Sequence, residues 1–154
     1  MSSTNNVTYR KVDADDIPQL VDCRIQQLVD EGYPEIKDIR AELAHYFAVG
    51  LADGSLICWV AVVEGNIVGT SGLCIYQLPP TFSNSTGRIA YITNMYTRVP
   101  HRRQGISSHL LNLLVEEAKA LNFPSVRLHA SELGKGVYER AGFTDLDGYM
   151  YQPL

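Results

Sequence analysis

The sequence is short of the features that mark several common protein classes. Basic residues are outnumbered: 13 lysines and arginines stand against 17 aspartates and glutamates, a formal net charge of −4. Neutralising nucleic-acid phosphates calls for a basic excess, so this composition argues against a nucleic-acid partner. Cysteine is sparse: Cys23, Cys58 and Cys74 are far apart, and no Cys-x-x-Cys occurs. Neither a zinc site nor a redox pair is indicated, and buried free thiols in a reducing cytoplasm are expected. The four histidines, His45, His101, His109 and His129, show no helical metal spacing, so no metal is expected. No apolar run approaches the roughly 18 residues of a membrane span, so no membrane partner is expected. The first six residues are polar and uncharged, which does not match a signal peptide; residues 1–6 read as a flexible tail. Against these absences stand 154 residues, 45% of them hydrophobic, enough for a single domain over 1–154 with its own core.

The chain alternates between two hydrophobic rhythms. Val7 to Val12 reads as a strand. Asp13 or Asp15 can cap the helix that follows, with Pro18 in its first turn and Ile17, Leu20, Val21, Ile25 and Leu28 at helical spacing. Gly32 ends it. Pro34 opens a second helix with Ile36, Ile39, Leu43 and Phe47 as its inner stripe, closed at Asp53-Gly54. Leu56 to Val63 and Ile67 to Tyr76 form a hairpin about Glu64-Gly65-Asn66, and Arg88 to Thr97 is a third long strand. Residues 77–87 are rich in turn formers. Ile106, Leu110, Leu111, Leu114, Ala118 and Leu121 mark the strongest amphipathic helix, ended by Asn122 in a left-handed conformation. Ser125 to Ala130 is a strand, Glu132 to Ala141 a short helix stopped by Gly142, and Phe143 to Tyr151 two extended pieces around Asp147-Gly148. The order β-α-α-β-β-β-α-β-α-β predicts an α/β fold: a mixed, mostly antiparallel sheet of six to seven strands with helices on both faces.

One segment concentrates chemistry. A strand ending at Thr97 runs through Arg102, Arg103, Gln104 and Gly105 into Ile106, Ser107 and Ser108, where the long helix begins. The first turn of a helix has unpaired N–H groups and partial positive charge. Gly105 lets the backbone approach a ligand, two arginines add charge, and two serines add hydroxyls. These are the parts of a phosphate or pyrophosphate site. A solvated basic helix end capped by serine has the same sequence, and both readings stand at this point.

The run Asn94 to Leu111 resembles the acetyl-CoA-binding motif of the GNAT superfamily of N-acetyltransferases: strand, Arg/Gln-x-x-Gly-x-Gly/Ala, amphipathic helix. Downstream, Val137-Tyr138-Glu139-Arg140-Ala141-Gly142-Phe143 resembles the Leu-Tyr-Glu-Lys-x-Gly-Phe segment of the same family. The resemblance implies a V-shaped splay between two parallel central strands. The pantetheine arm of acetyl-CoA would lie there against the backbone of Met95, Tyr96 and Thr97. The pyrophosphate would sit on the amides of Arg103 to Ser108, with Arg102 at the Arg/Gln position. Ser107 departs from the usual Gly or Ala. Ser131 stands where many members have an asparagine; it reads equally as a cofactor ligand and as a helix N-cap.

The reaction so implied is acetyl transfer from acetyl-CoA to the primary amine of a small molecule or peptide, by direct attack in a ternary complex. The backbone N–H of Met95 or Tyr96 would face the oxyanion, and Tyr138 would reprotonate the leaving thiolate as general acid. The strand over 125–130 lacks the glutamate that some members use as base. The candidates are His129, an imidazole being suited to this range, Tyr91 or Asn94 acting through a water, or no dedicated base at all. Segments 30–37 and 77–88 would wall the acceptor site, with Glu31, Tyr33 and Phe82 as lining residues. His101 and His109 flank the phosphate loop. A homodimer is compatible with this family. The competing reading is a non-catalytic acyl-CoA-binding sensor or partner module on the same fold.

Overall fold

The computed structural model describes residues 6–146 and 148–154. Of the expected tail, residues 1–5 therefore lie outside the described residues, as does Asp147 of the expected C-terminal turn. Strand β1 (Thr8–Lys11) leads into a single 3₁₀ turn over Ala14–Asp16. Asp13 caps that turn: its carboxylate accepts from the Asp15 amide, and Asp16 accepts from the Asp13 amide. Arg10 grips the same Asp16 carboxylate through two nitrogens at 2.7 and 2.8 Å. Helix α1 (Ile17–Asp30) follows with Pro18 in its first turn, where a missing N–H is harmless.

Helix α2 (Arg40–Asp53) begins six residues later than the position of Pro34 predicts. Asp38 accepts from the Arg40 amide and restarts the chain there, so Ile39, Leu43 and Phe47 face inward as expected. Ile36 does not: it stands in the connecting loop, 89% exposed. The predicted strand Leu56–Val63 is divided into β2 (Leu56–Ile57) and β3 (Trp59–Val63). From Leu56 to Ala61 the two pieces keep one register with β4 (Asn66–Gln77), which shifts between Ala61 and Val62; between β2 and β3 the Cys58 carbonyl turns to accept from Val12. Glu64 and Gly65, both at positive φ, make the two-residue hairpin.

Strand β5 (Arg88–Thr97), helix α3 (Ile106–Ala120), strand β6 (Val126–Leu128) and helix α4 (Lys135–Arg140) complete the order. The six strands form one sheet, β1-β3-β4-β5-β6 with β2 on β4, antiparallel except for β5 and β6. Helices α1 and α2 cover one face, burying Leu20, Val21, Cys23 and Phe47 against Leu56, Val60 and Ile67. Helix α3 covers the other with Ile106, Leu110, Leu111, Leu114 and Ala118. Leu121, expected on that stripe, lies past the helix end and is exposed. Asn122 takes the left-handed conformation at φ 64°.

The C-terminal expectation is corrected: among the described residues, none from 143 to 151 forms a strand. The tail is tied to β6 by a side chain, with Arg127 donating to the Tyr149 hydroxyl at 3.2 Å, not by a backbone ladder.

Candidate active site

Two irregularities open the middle of the sheet. The first is the brevity of the parallel pairing: β5 meets β6 only over Ala90–Val126, Tyr91–Arg127 and Ile92–Leu128. Beyond Ile92 the strands part, because β6 ends while β5 continues to Thr97. The second is a bulge. Thr70 pairs with Tyr96 and Gly72 with Thr93, so Asn94 and Met95 together oppose Ser71 alone. Asn94 takes φ 59°, a left-handed conformation that asparagine tolerates better than other non-glycine residues. Thr70 fixes the bulge by donating its hydroxyl to the Asn94 carbonyl at 2.8 Å.

The resulting cleft has a volume of about 1220 Å3. Met95, Tyr96, Thr97, Arg102, Arg103, Gly105, Ile106, Ser107, Ser108, His129, Ser131 and Tyr138 all line it, as do Glu31 and Tyr33. The sequence reading thus gathered residues from five separate segments that the fold brings together. Gln104 is on the loop but does not line the cleft. Phe82 is a correction: it sits at the tip of the loop before β5, fully exposed and away from the cleft. That loop is folded onto itself by Gln77, which donates to the carbonyls of Leu78 and Thr86, and by Asn84, which donates to that of Arg88. His109 faces away from the cleft and stacks on Tyr9 at 3.9 Å, whereas His101 reaches its wall.

At one end of the cleft the loop before α3 curls into an anion-binding form. Arg103 and Gly105 take φ 63° and 79°, the alternation that turns successive N–H groups inward. The amides of Arg103 to Ser108 have no hydrogen-bond partner among the described residues. No side chain caps α3. Ser107, which could have done so, bonds the Thr97 hydroxyl at 2.7 Å instead. The reading of this segment as a serine-capped helix end is therefore set aside. Arg102 braces the loop: its Nε donates to the Thr97 carbonyl at 2.9 Å and its Nη2 to Asp30 at 3.0 Å, with the guanidinium over the Tyr96 ring. Hydrogen bonds from Gln26, Tyr96 and Arg102 hold the Asp30 carboxyl below its usual range. The guanidinium of Arg103 is exposed and has no carboxylate partner among the described residues.

At the other end sits Tyr138, on α4. Its ring packs beside Phe143 and over Gly134, which has no Cβ to push it aside. Burial pushes its phenol up to about 12, with the nearby Glu31 carboxylate acting in the same direction. The raised phenol makes proton transfer to the leaving thiolate harder than it would be from a free tyrosine. Ser131 uses its hydroxyl to accept from the Gly134 amide, so it caps the turn ahead of α4 while facing the cleft. His129 follows β6 directly and is exposed.

Two buried polar residues complete the wall: Asn94, already a candidate for holding a water, and Gln27, which the sequence did not single out. Gln27, on α1, is only 6% exposed. Its Nε2 donates to the Met95 carbonyl at 3.1 Å and to Glu31 at 3.2 Å, while its Oε1 accepts from Arg24 at 3.0 Å. Both ends of the carboxamide are used, which fixes its orientation. Asn94 is the opposite case: it is 5% exposed, and its carboxamide has no protein partner among the described residues. A signal for Arg24, Gln27 and Glu31 was present, since they recur at i, i+3 and i+7 on one face of a helix whose neighbouring stripe is apolar.

Among the described residues no group of three His, Cys, Asp or Glu side chains is placed to hold a metal, and no helix is long and apolar enough to cross a membrane. Comparison with known proteins accords with this geometry. The crystal structure of a predicted acetyltransferase from Clostridium acetobutylicum with acetyl-CoA is 42% identical, with 96% of each chain covered and a TM-score of 0.93. A GCN5-related N-acetyltransferase from Ralstonia eutropha is 26% identical, covering 97% of this chain and 99% of that one, with a TM-score of 0.85. The Arabidopsis thaliana glucosamine-6-phosphate N-acetyltransferase, 18% identical over 96% and 98%, shares the fold with a TM-score of 0.75. No curated protein matches in sequence. The model of the Acetyltransferase (GNAT) family matches residues 23–143, and with the splayed strands, the bulge and the curled loop in place, the chain belongs to that family.

Proposed function

We propose that this protein transfers the acetyl group of acetyl-CoA to the primary amine of a small molecule or peptide, by direct attack with both substrates in the cleft. The observation that carries the proposal is the pairing of two ends. Six adjacent partnerless amides, Arg103 to Ser108, stand at one end, and a half-buried phenol, Tyr138, stands at the other. The first end suits a pyrophosphate, and the second suits a leaving sulfur. A cleft of about 1220 Å3 exceeds the usual ~300–1,000 Å3 of a small-molecule site, which leaves room for a long co-substrate and an acceptor together.

The amine nitrogen attacks the thioester carbon, and the C–S bond breaks. The bulge turns strand backbone toward the cleft, and the N–H of Met95 or Tyr96 is the donor for the developing oxyanion. The amine sheds its proton to His129, or to a water held by the buried carboxamide of Asn94, and the sulfur takes one from Tyr138. With the phenol near 12 and a thiol near 8.5, complete transfer is uphill by about 5 kcal/mol. A turnover of ~10 per second corresponds to a barrier of roughly 16 kcal/mol, so the step is affordable. It is easier still if the proton moves as the bond breaks. Tyr138 therefore acts chiefly as a hydrogen-bond donor that completes its transfer late.

The test is thiol release from acetyl-CoA across a panel of primary amines, with the products identified by mass. Acetylated amine and free CoA in equal amounts support the proposal. Tight acetyl-CoA binding with no transfer to any amine would instead support the binding-module reading.

A further inference from the structure

The acceptor end of the cleft holds a cation with no assigned use. Arg24 is half-buried on α1 and lines the cleft. Of its five N–H donors, the structure accounts for one, the bond to Gln27 Oε1 at 3.0 Å. No carboxylate lies within salt-bridge distance of it among the described residues, whereas Arg10, Arg40 and Arg102 each have one. A half-buried guanidinium with most of its donors unused is a ready partner for an anion that enters the cleft.

Its surroundings are built for that. Arg24 is close enough to Tyr46 and Tyr91 to favour their ionised forms, although burial raises both phenols. Tyr91 lines the same cleft, its phenol engaged by the His129 backbone. Two turns on along the same face, at the end of α1, Glu31 presents the opposite charge to the same cleft. Gln27 ties the two together and to the bulge: Arg24 on its Oε1, Glu31 and the Met95 carbonyl on its Nε2. A cation and an anion are thus held at fixed positions on either side of one carboxamide, next to the strand that faces the reacting carbonyl.

We infer that Arg24 binds a carboxylate of the acceptor, so that the substrate class is a small amine that also carries a carboxylate: an amino acid or short peptide. This rests on the acetyl-transfer reading above. Glu31 draws the ammonium end toward the bulge, Arg24 takes the carboxylate, and the pair orients the acceptor in one sense only. An amine of the same shape without the carboxylate leaves Arg24 unpaired.

The test compares α-amino acids, ω-amino acids and a dipeptide with their decarboxylated twins and with aminoalkyl phosphates, in wild type, Arg24→Gln and Arg24→Lys. Acetyl-CoA binding is measured separately by thermal shift. The inference predicts a kcat/KM preference of at least tenfold for the carboxylated member of a pair. That preference should collapse toward one in Arg24→Gln through a rise in KM, and be partly kept in Arg24→Lys, which preserves the charge. Binding of the carboxylated amines to the CoA-saturated protein should follow the same order. Equal use of both twins, or an equal loss for both in Arg24→Gln, overturns it. A preference for the phosphates overturns the carboxylate assignment. Failure of the protein to bind acetyl-CoA would remove the underlying reading, which the separate binding measurement distinguishes.

Discussion

Gln27 donates from its Nε2 to the main-chain carbonyl of Met95 at 3.1 Å, across 68 residues of sequence. A buried helix side chain thereby holds the strand bulge on which the proposed chemistry depends. Gln27→Leu keeps the volume and removes the donor. It leaves the Met95 carbonyl without its partner, so stability should fall by about 1–3 kcal/mol. A structural role alone would end there. A positioning role predicts in addition that kcat falls tenfold or more while acetyl-CoA affinity is kept. Denaturant unfolding, calorimetric titration and steady-state kinetics separate the two effects.

Tyr138→Phe should cut kcat about a hundredfold and spare acetyl-CoA affinity, within the usual range for a lost proton donor. Because the phenol titrates near 12, the alkaline limb of the wild-type rate profile below about pH 11 should not come from it. Stability carries a second signature. An unfolded tyrosine ionises near 10, and the folded one only near 12. The wild type should lose stability across that interval relative to Tyr138→Phe, while below pH 10 the two curves stay parallel. Unfolding measured at a series of alkaline pH values checks this.

Gly69 on β4 lies directly under the start of α3. A Cβ there would stand 2.8 Å from Ile106 Cγ2 and 3.2 Å from Leu110 Cδ1, and both of those residues are fully buried. Gly69→Ala must push the helix start outward. Ile106 belongs to the partnerless-amide loop, so acetyl-CoA affinity should fall at least tenfold, with a stability loss of about 1–3 kcal/mol. Unchanged affinity by titration would separate this helix end from the binding site.

Asp16 is an acid-sensitive point of the fold. The hydrogen bond from Arg10 leads in lowering its pKa, and the Asp13 amide adds to it against the effect of burial. A depressed folded value stabilises the protein above the unfolded carboxyl range and loses that contribution as pH falls. Asp16→Asn should therefore be less stable at pH 7 by about 1–3 kcal/mol, and the gap to wild type should close below about pH 4. Acid titrations of the two proteins, followed by circular dichroism, measure the gap.

Much of this arrangement was legible in the residues. Periodic apolar stripes are local, so α1 and α3 could be read from Ile17, Leu20, Val21 and from Ile106, Leu110, Leu111, Leu114. Ile36 misled because it repeats the helical spacing while Asp38, two residues on, supplies a stronger start signal. The loop chemistry at Arg103 to Ser108 was legible because Gly105 and two serines at a helix start are sequence-adjacent. The roles of Arg24 and Gln27 were not. A polar residue on a helix reads as solvated until the partner strand is known, and Met95 is 68 residues away. Tyr138 was found by its motif, but the direction of its pKa shift depends on tertiary burial and on the nearby Glu31, which no local pattern carries. The bulge had one local trace, an asparagine amid β-formers at Asn94.

In the proposed function the curled loop before α3 holds acetyl-CoA. Thermal unfolding of wild type and Gly105→Val, each with acetyl-CoA and with ATP and NAD as controls, tests it most directly. Gly105 has φ 79°, which a β-branched residue adopts only with strain. At one hundred times Kd a ligand stabilises by about 2.7 kcal/mol, or roughly 5–11 °C for a domain of this size. Wild type should show that shift with acetyl-CoA alone, and Gly105→Val should lose it. No shift in wild type, or an equal shift in both proteins, would contradict it.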